Sequence, residues 1–233
     1  MNQYMKNFLR SIKKVIDRTF GTKVDETYWR FRHIFTRKWA EGYISESSIN
    51  HHHRQFLIEK IAVYAPFKTI LEIGCASGPN LYLLQKKFPE VEFFGIDISR
   101  HAIKTGEEWF RKNRIKNIKF SEGRIDDLKK FPSKSIDIIF TDAVLIYIGP
   151  DKIIKVIEEM MRVGKKAIIL NERHDDSSLF SYKDHWTYNY KALFSRFVDE
   201  KKIKISKFPP DLWSIEGWKE YGAVVEVNLQ QDL

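Results

Sequence analysis

A chain of 233 residues with 43% apolar residues and a single cysteine is long enough for one well-packed domain with an appended segment; it excludes two full domains and a disulfide framework. No cleavable leader pattern stands out and no apolar run approaches the roughly 20 residues of a membrane-spanning helix, so a cytoplasmic protein is expected. The net charge is +9, yet residues 1–40 carry ten Lys and Arg against three Asp and Glu, so +7 of it lies in the first sixth of the chain, which argues against nucleic acid as a partner at an active-site face.

The first stretch explains that charge. Tyr4, Met5, Phe8, Leu9, Ile12, Val15, Ile16 and Phe20 recur at helical spacing, with Lys6, Arg10, Lys13, Lys14 and Arg18 largely between them. Residues 1–20 therefore read as a basic amphipathic helix that docks on the domain, self-associates with a second copy, or lies peripherally on the inner face of a membrane. Tyr28, Trp29, Phe31, Phe35, Trp39 and Tyr43 follow among charges, as a lid or as rings packed under the arm. The arm and lid occupy residues 1–50 and the main domain 51–233. His51, His52 and His53 do not make a metal site, because three consecutive side chains cannot face one ion and no Cys or acid lies at ligand spacing; no metal is expected. Ser47 to Asn50 instead starts a helix over 51–64.

From Thr69 onward the pattern alternates strand and helix. Strands are predicted over 69–74, 92–97, 117–122, 135–142, 165–171, 201–207 and 222–229, with helices over 79–88, 100–113, 150–162 and 185–197. Such alternation dictates parallel strands joined by right-handed crossovers. The last two strands are separated by Pro209-Pro210, Trp213 and Gly217-Trp218, without a helical pattern, and should pair as an antiparallel hairpin at one edge.

Two features point to a nucleoside cofactor. The run Leu71-Glu72-Ile73-Gly74-Cys75-Ala76-Ser77-Gly78-Pro79-Asn80 is a strand, a tight small-residue turn and a helix start, and a second strand ends in Gly95-Ile96-Asp97-Ile98, where a carboxylate reaches both ribose hydroxyls. The spacing is E-x-G-x-A-x-G and lacks the G-x-G-x-x-G that holds a pyrophosphate. With Glu122-Gly123-Arg124-Ile125-Asp126-Asp127, Ser135 to Asp142 and Arg162 to Leu170 following in order, the chain resembles the Rossmann-like S-adenosylmethionine-dependent methyltransferases.

That resemblance implies a three-layer α/β/α doubly wound sheet of seven strands in the order 3-2-1-4-5-7-6, strand 7 antiparallel. It also implies S-adenosylmethionine as cofactor and S-adenosylhomocysteine as product. By the same resemblance Glu72, Gly74, Cys75, Ala76, Gly78 and Asn80 meet the methionine part of the cofactor, Asp97 the ribose, and Ile98 and Ile125 the adenine, while Asp142 and Ala143 end the strand beneath the sulfur. Relatives often place an aspartate where this chain has Arg124, which only donates, so Asp126 is expected either to replace that adenine contact or to sit in a solvated turn.

The acceptor is less sharply drawn. No Asn/Asp-Pro-Pro-aromatic run follows strand four, which disfavours amino-methylation of bases or glutamine. Leu145 to Ile148 resembles a loop of methylases associated with surface sugars, with Tyr147 in place of a histidine. His174, after strand five beside Asp175 and Asp176, is the candidate general base, and Tyr147 the second candidate catalytic group. His185, the run Trp186 to Tyr190 and Trp213 to Trp218 could wall the acceptor site. The expected activity is O-methylation of a small molecule or saccharide; methylation of RNA or protein, or a non-catalytic cofactor-binding role, are the rivals.

Overall fold

The computed structural model describes residues 23–36, 38–182 and 185–230; the amphipathic stretch predicted over 1–20 lies outside them. Its sheet is built from β1 (Thr69–Ile73), β2 (Glu92–Asp97), β3 (Ile118–Glu122), β4 (Ile136–Asp142), β5 (Gly164–Arg173), β8 (Ile203–Lys207) and β9 (Gly222–Asn228). The strands lie in the order β3-β2-β1-β4-β5-β9-β8. β1 to β5 are parallel, and β9 runs antiparallel to both β5 and β8. The expected order is obtained, with β9 and β8 as the seventh and sixth strands of the main sheet.

Alternation along the strands makes two cores. Ile70, Phe93, Ile138, Phe140 and Ile169 face one side, against α4 (His52–Ala62) and α5 (Pro79–Lys87); α6 (Arg100–Lys112) adds Ile103 to that layer. Leu71, Ile73, Ile139, Ile168 and Leu170 face the other, against α7 (Ile153–Val163). In α7 the buried side chains Ile153, Val156, Ile157, Met160 and Val163 recur at three- and four-residue intervals, so one stripe is removed from water, at roughly 1.5–3 kcal/mol per large side chain.

Three short helices precede this domain: α1 (Lys23–Phe35), α2 (Trp39–Tyr43) and α3 (Glu46–Ile49). The predicted helix over 185–197 is corrected. Trp186-Thr187-Tyr188, alternating aromatic and β-branched, forms β7 and pairs antiparallel with β6 (Phe180–Tyr182) in a separate two-stranded sheet. Helix α8 begins only at Tyr190 and runs to Phe194, capped by the Asn189 side chain. A further short helix, α9 (Trp218–Tyr221), lies between β8 and β9. Among the described residues no helix is long and apolar enough to cross a membrane.

Candidate functional site

The carboxyl ends of β1, β2 and β4 open into a cavity of about 400 Å³, roofed by α1 and α2 and flanked by the start of α4 and the segment before β9. Glu72, Gly74, Cys75, Ala76, Asn80, Asp97, Ile98, Arg124, Ile125, Asp142, Ala143 and Tyr147 line it.

At the end of β1 the chain must turn sharply, and Gly74 adopts φ +75. A Cβ there would also run into the Val144 side chain. Gly74→Ala is therefore expected to combine left-handed strain with a clash under the cofactor turn, costing about 2 kcal/mol and roughly tenfold in cofactor affinity, read by thermal melting and calorimetric titration. Gly78, with φ +83, caps α5 and does not line the cavity. Ala76, with φ +48, donates its N–H to Asp97 Oδ2 at 2.9 Å, and Ser99 N–H reaches Oδ1 at 2.8 Å. These bonds aim the Asp97 carboxylate and leave lone pairs on both oxygens. Burial raises its pKa to about 6, against the pull of those two N–H groups.

Glu72 is the clearest sign of a cationic ligand. Its Oε1 accepts from Asn80 at 2.7 Å, while Oε2 is buried without a hydrogen-bond partner. Burial drives this acid well above its ordinary range. A buried carboxylate oxygen in that position calls for a donor, and an ammonium group supplies one.

Asn80 links this acid to a second one. Asp142 Oδ2 accepts from Asn80 at 2.9 Å, from Arg54 at 3.1 Å and lies 3.2 Å from His53 Nε2, while Oδ1 accepts from Asn171 at 2.6 Å. Burial alone would raise the Asp142 pKa; His53, Arg54 and Asn80 outweigh it and hold the carboxyl well below its usual range. Arg54 also donates to Asn80 at 2.8 Å and to the Ser48 carbonyl at 2.9 Å, tying α4 to both acids.

At the opposite end, Arg124 makes two bonds to Glu26 of α1, at 2.7 and 3.0 Å, and pairs with Asp126 at 3.0 Å. Lys152 reaches the same Glu26. The arginine that departs from the family pattern thus clasps the roof helix. Asp126 does not line the cavity; its carboxylate is turned to Arg124, so replacement of an adenine contact by Asp126 is not supported. The roof aromatics meet edge to face, Trp29 lying 5.7 Å from Trp39 and 4.9 Å from Tyr147.

His174 is corrected as a site residue. It is fully buried outside the cavity, its Nε2 is 2.9 Å from Asp176, and its Nδ1 accepts from Tyr190 N–H at 3.3 Å. Burial lowers its pKa despite Asp176. Tyr147 does face the cavity, but burial pushes its hydroxyl pKa far up, which makes it a proton holder. The tryptophans wall the site by their edges: Trp213 is stacked between His53 at 4.1 Å and Trp218 at 4.2 Å, and the Arg173 guanidinium lies over Trp218 at 5.6 Å. Residues that sequence reasoning missed are Glu26, His53, Arg54 and Arg173, all cavity-lining. The pattern Ser48-x-x-His51-x-His53-Arg54 was the available signal for two of them.

Behind the site, Glu172 is fully buried and its Oε1 accepts from Thr141 Oγ1 and from the Val144 and Leu145 N–H groups at 2.8–3.0 Å, fixing the turn that carries Tyr147. Burial raises its pKa from 4.5 to about 7. A carboxyl raised in the folded state contributes stability that is complete below about pH 4.5 and lost as pH rises through 7. The melting temperature is expected to fall across that window, and Glu172→Gln, which keeps the acceptor oxygen, to flatten the fall.

An open, mostly parallel sheet with an acid, a left-handed glycine turn and a second acid at its strand ends defines a Rossmann-like architecture. Comparison with known proteins narrows the class. A family model described as a methyltransferase domain matches residues 66–222. The probable methyltransferase ltbC of Aspergillus luteorubrus is 31% identical over 208 residues, covering 83% of this chain and 73% of that protein. Malonyl-[acyl-carrier protein] O-methyltransferase of a Paenibacillus species is 30% identical over 101 residues, 42% of this chain and 37% of that one. The chain spans only about two fifths of the length of several curated relatives that it matches. The structure of a SAM-dependent methyltransferase from Aquifex aeolicus superposes with a TM-score of 0.57 at 16% identity, over 81% of this chain and 95% of that one. The chain belongs to the methyltransferase-domain family, of the Rossmann-like S-adenosylmethionine-dependent class.

Proposed function

We propose that this protein methylates an oxygen of a small molecule or saccharide intermediate, with S-adenosylmethionine as donor. The observation that carries the reading is the pairing of two acids on one cavity wall, the buried Glu72 with an unpartnered Oε2 and the half-buried Asp97 with both oxygens aimed by backbone N–H groups. In this assignment Glu72 receives the cofactor ammonium, Asp97 the ribose hydroxyls, and Ile98 and Ile125 pack on the adenine. Bound there, the cofactor supplies a methyl group already activated on a sulfonium. What the chain must add is alignment and the exclusion of water, and the α1–α2 roof with its Glu26–Arg124 clasp suits that task.

A cavity of about 400 Å³ with aromatic edges favours a small acceptor over a polymer. The clasp to Glu26 also gives Arg124, which departs from the family pattern, a structural role. Incubation with methyl-tritiated S-adenosylmethionine and a panel of hydroxylated small molecules and sugars tests the proposal. Label transferred to a sugar or small hydroxyl compound supports it; label transferred only to RNA or protein overturns it.

A further inference from the structure

The roof of the cavity has an outer face that the cofactor site does not use. In α1 (Lys23–Phe35) the helical period puts Lys23, Thr27, Arg30 and Ile34 on one stripe, with Phe31 and Tyr28 beside it. All six are exposed, Tyr28 to 44%, Phe31 to 45% and Ile34 to 64%. The acids of the helix turn the other way: Asp25 is 5% exposed, and Glu26 is held by Arg124 and Lys152. Arg32 also turns inward, its guanidinium 4.5 Å from the Trp29 ring and 5.0 Å from that of Trp39. Among the described residues of α1, the outer face therefore carries three large apolar side chains and two cations, and no acid.

We propose that this face of α1 docks on an anionic lipid surface. Exposed apolar residues scattered singly need no explanation, but three within two turns of one helix, flanked by Lys and Arg, form the pattern of a helix lying in a lipid interface. Tyr28, Phe31 and Ile34 enter the boundary between headgroups and acyl chains, while the long stems of Lys23 and Arg30 keep their charges at the phosphates.

Charge selects this occupant over the alternatives. A second copy seated on the same face by a two-fold axis would set one basic patch against another, which is unfavourable. Residues 1–20, outside the described residues, hold five Lys and Arg against one Asp, so folding that stretch back over α1 would repeat the conflict. An anionic surface instead attracts both segments, each basic residue near it adding to the affinity. The contacts that clasp α1 to the domain lie on its inner face, so docking leaves the cavity roof in place.

The test floats the full chain with vesicles of phosphatidylcholine alone and of equal parts phosphatidylcholine and phosphatidylglycerol. Flotation is expected with the anionic vesicles only, and it should fall as salt is raised. Phe31→Gln combined with Ile34→Gln should weaken vesicle binding at least tenfold, and Arg30→Gln about fivefold. Their thermal melts should match the wild type and their S-adenosylhomocysteine affinity should stay within about threefold of it, because none of these side chains lines the cavity. No flotation of the wild type, equal flotation with phosphatidylcholine alone, or variants that float as well as the wild type, which would assign the binding to residues 1–20, each overturns the proposal. So does a wild-type dimer in sedimentation that the Phe31 and Ile34 double variant dissociates. Flotation needs neither cofactor nor acceptor, so its outcome is separate from that of the methyltransferase reading.

Discussion

Replacing Asp97 with alanine is expected to weaken S-adenosylmethionine binding at least 100-fold. Each hydrogen bond from a ribose hydroxyl to a charged acceptor is worth about 1.5–3 kcal/mol, and two are lost at once; 1.4 kcal/mol is a factor of ten. In the unliganded fold the change removes acceptors from the Ala76 and Ser99 N–H groups but also relieves the desolvation that raises the pKa of this carboxyl to about 6, so the two effects on stability oppose each other. That value fixes a pH dependence. The acid accepts two hydroxyls only when ionised, so affinity in the wild type should fall as pH drops through 6 and stay level above 7, and Asp97→Ala should show no such step. Calorimetric titration across that range reads both.

The second large effect concerns stability. Arg54→Met is expected to destabilise the protein by about 3 kcal/mol or more, and the melting temperature by roughly 6–12 °C. Methionine keeps most of the aliphatic stem but removes four hydrogen bonds, to Ser48 through both its carbonyl and its hydroxyl, to Asn80 and to Asp142. Asp142 is then left buried with one charge partner fewer, and breaking a buried pair from one side costs more than the pair itself contributes. Adding Asp142→Asn to Arg54→Met should recover part of the loss, since no uncompensated carboxylate remains. Thermal melts of the two singles and the double measure that coupling.

The parts of this molecule written in local sequence were readable in advance. The strand–turn–helix run through Gly74 and the acid at Asp97 depend on neighbours within a few residues, and the structure brings them to one cavity. The seven-strand order followed from the regular alternation and the resemblance. What escaped depends on contacts far apart in sequence. Arg54 meets Asp142 across 88 positions and Arg124 meets Glu26 across 98, so neither partner could be chosen from spacing. His174 had the better local context, with two acids beside it, yet the β6–β7 hairpin and α8 close over it and enclose its ring. The hairpin itself was lost because Trp186 to Tyr188 are large apolar residues that suit a helix as readily as a strand when only three are seen. Trp213 and Trp218 line the cavity, and the stacking of Trp213 between His53 and Trp218 is a tertiary fact that spacing does not reveal.

The most direct test of the central claim is a calorimetric titration of the wild-type protein with S-adenosylhomocysteine near neutral pH. One-to-one binding in the micromolar range or tighter is the result that the Glu72 and Asp97 geometry predicts. No measurable binding would contradict it, and the cavity at the ends of β1, β2 and β4 would then belong to a different ligand.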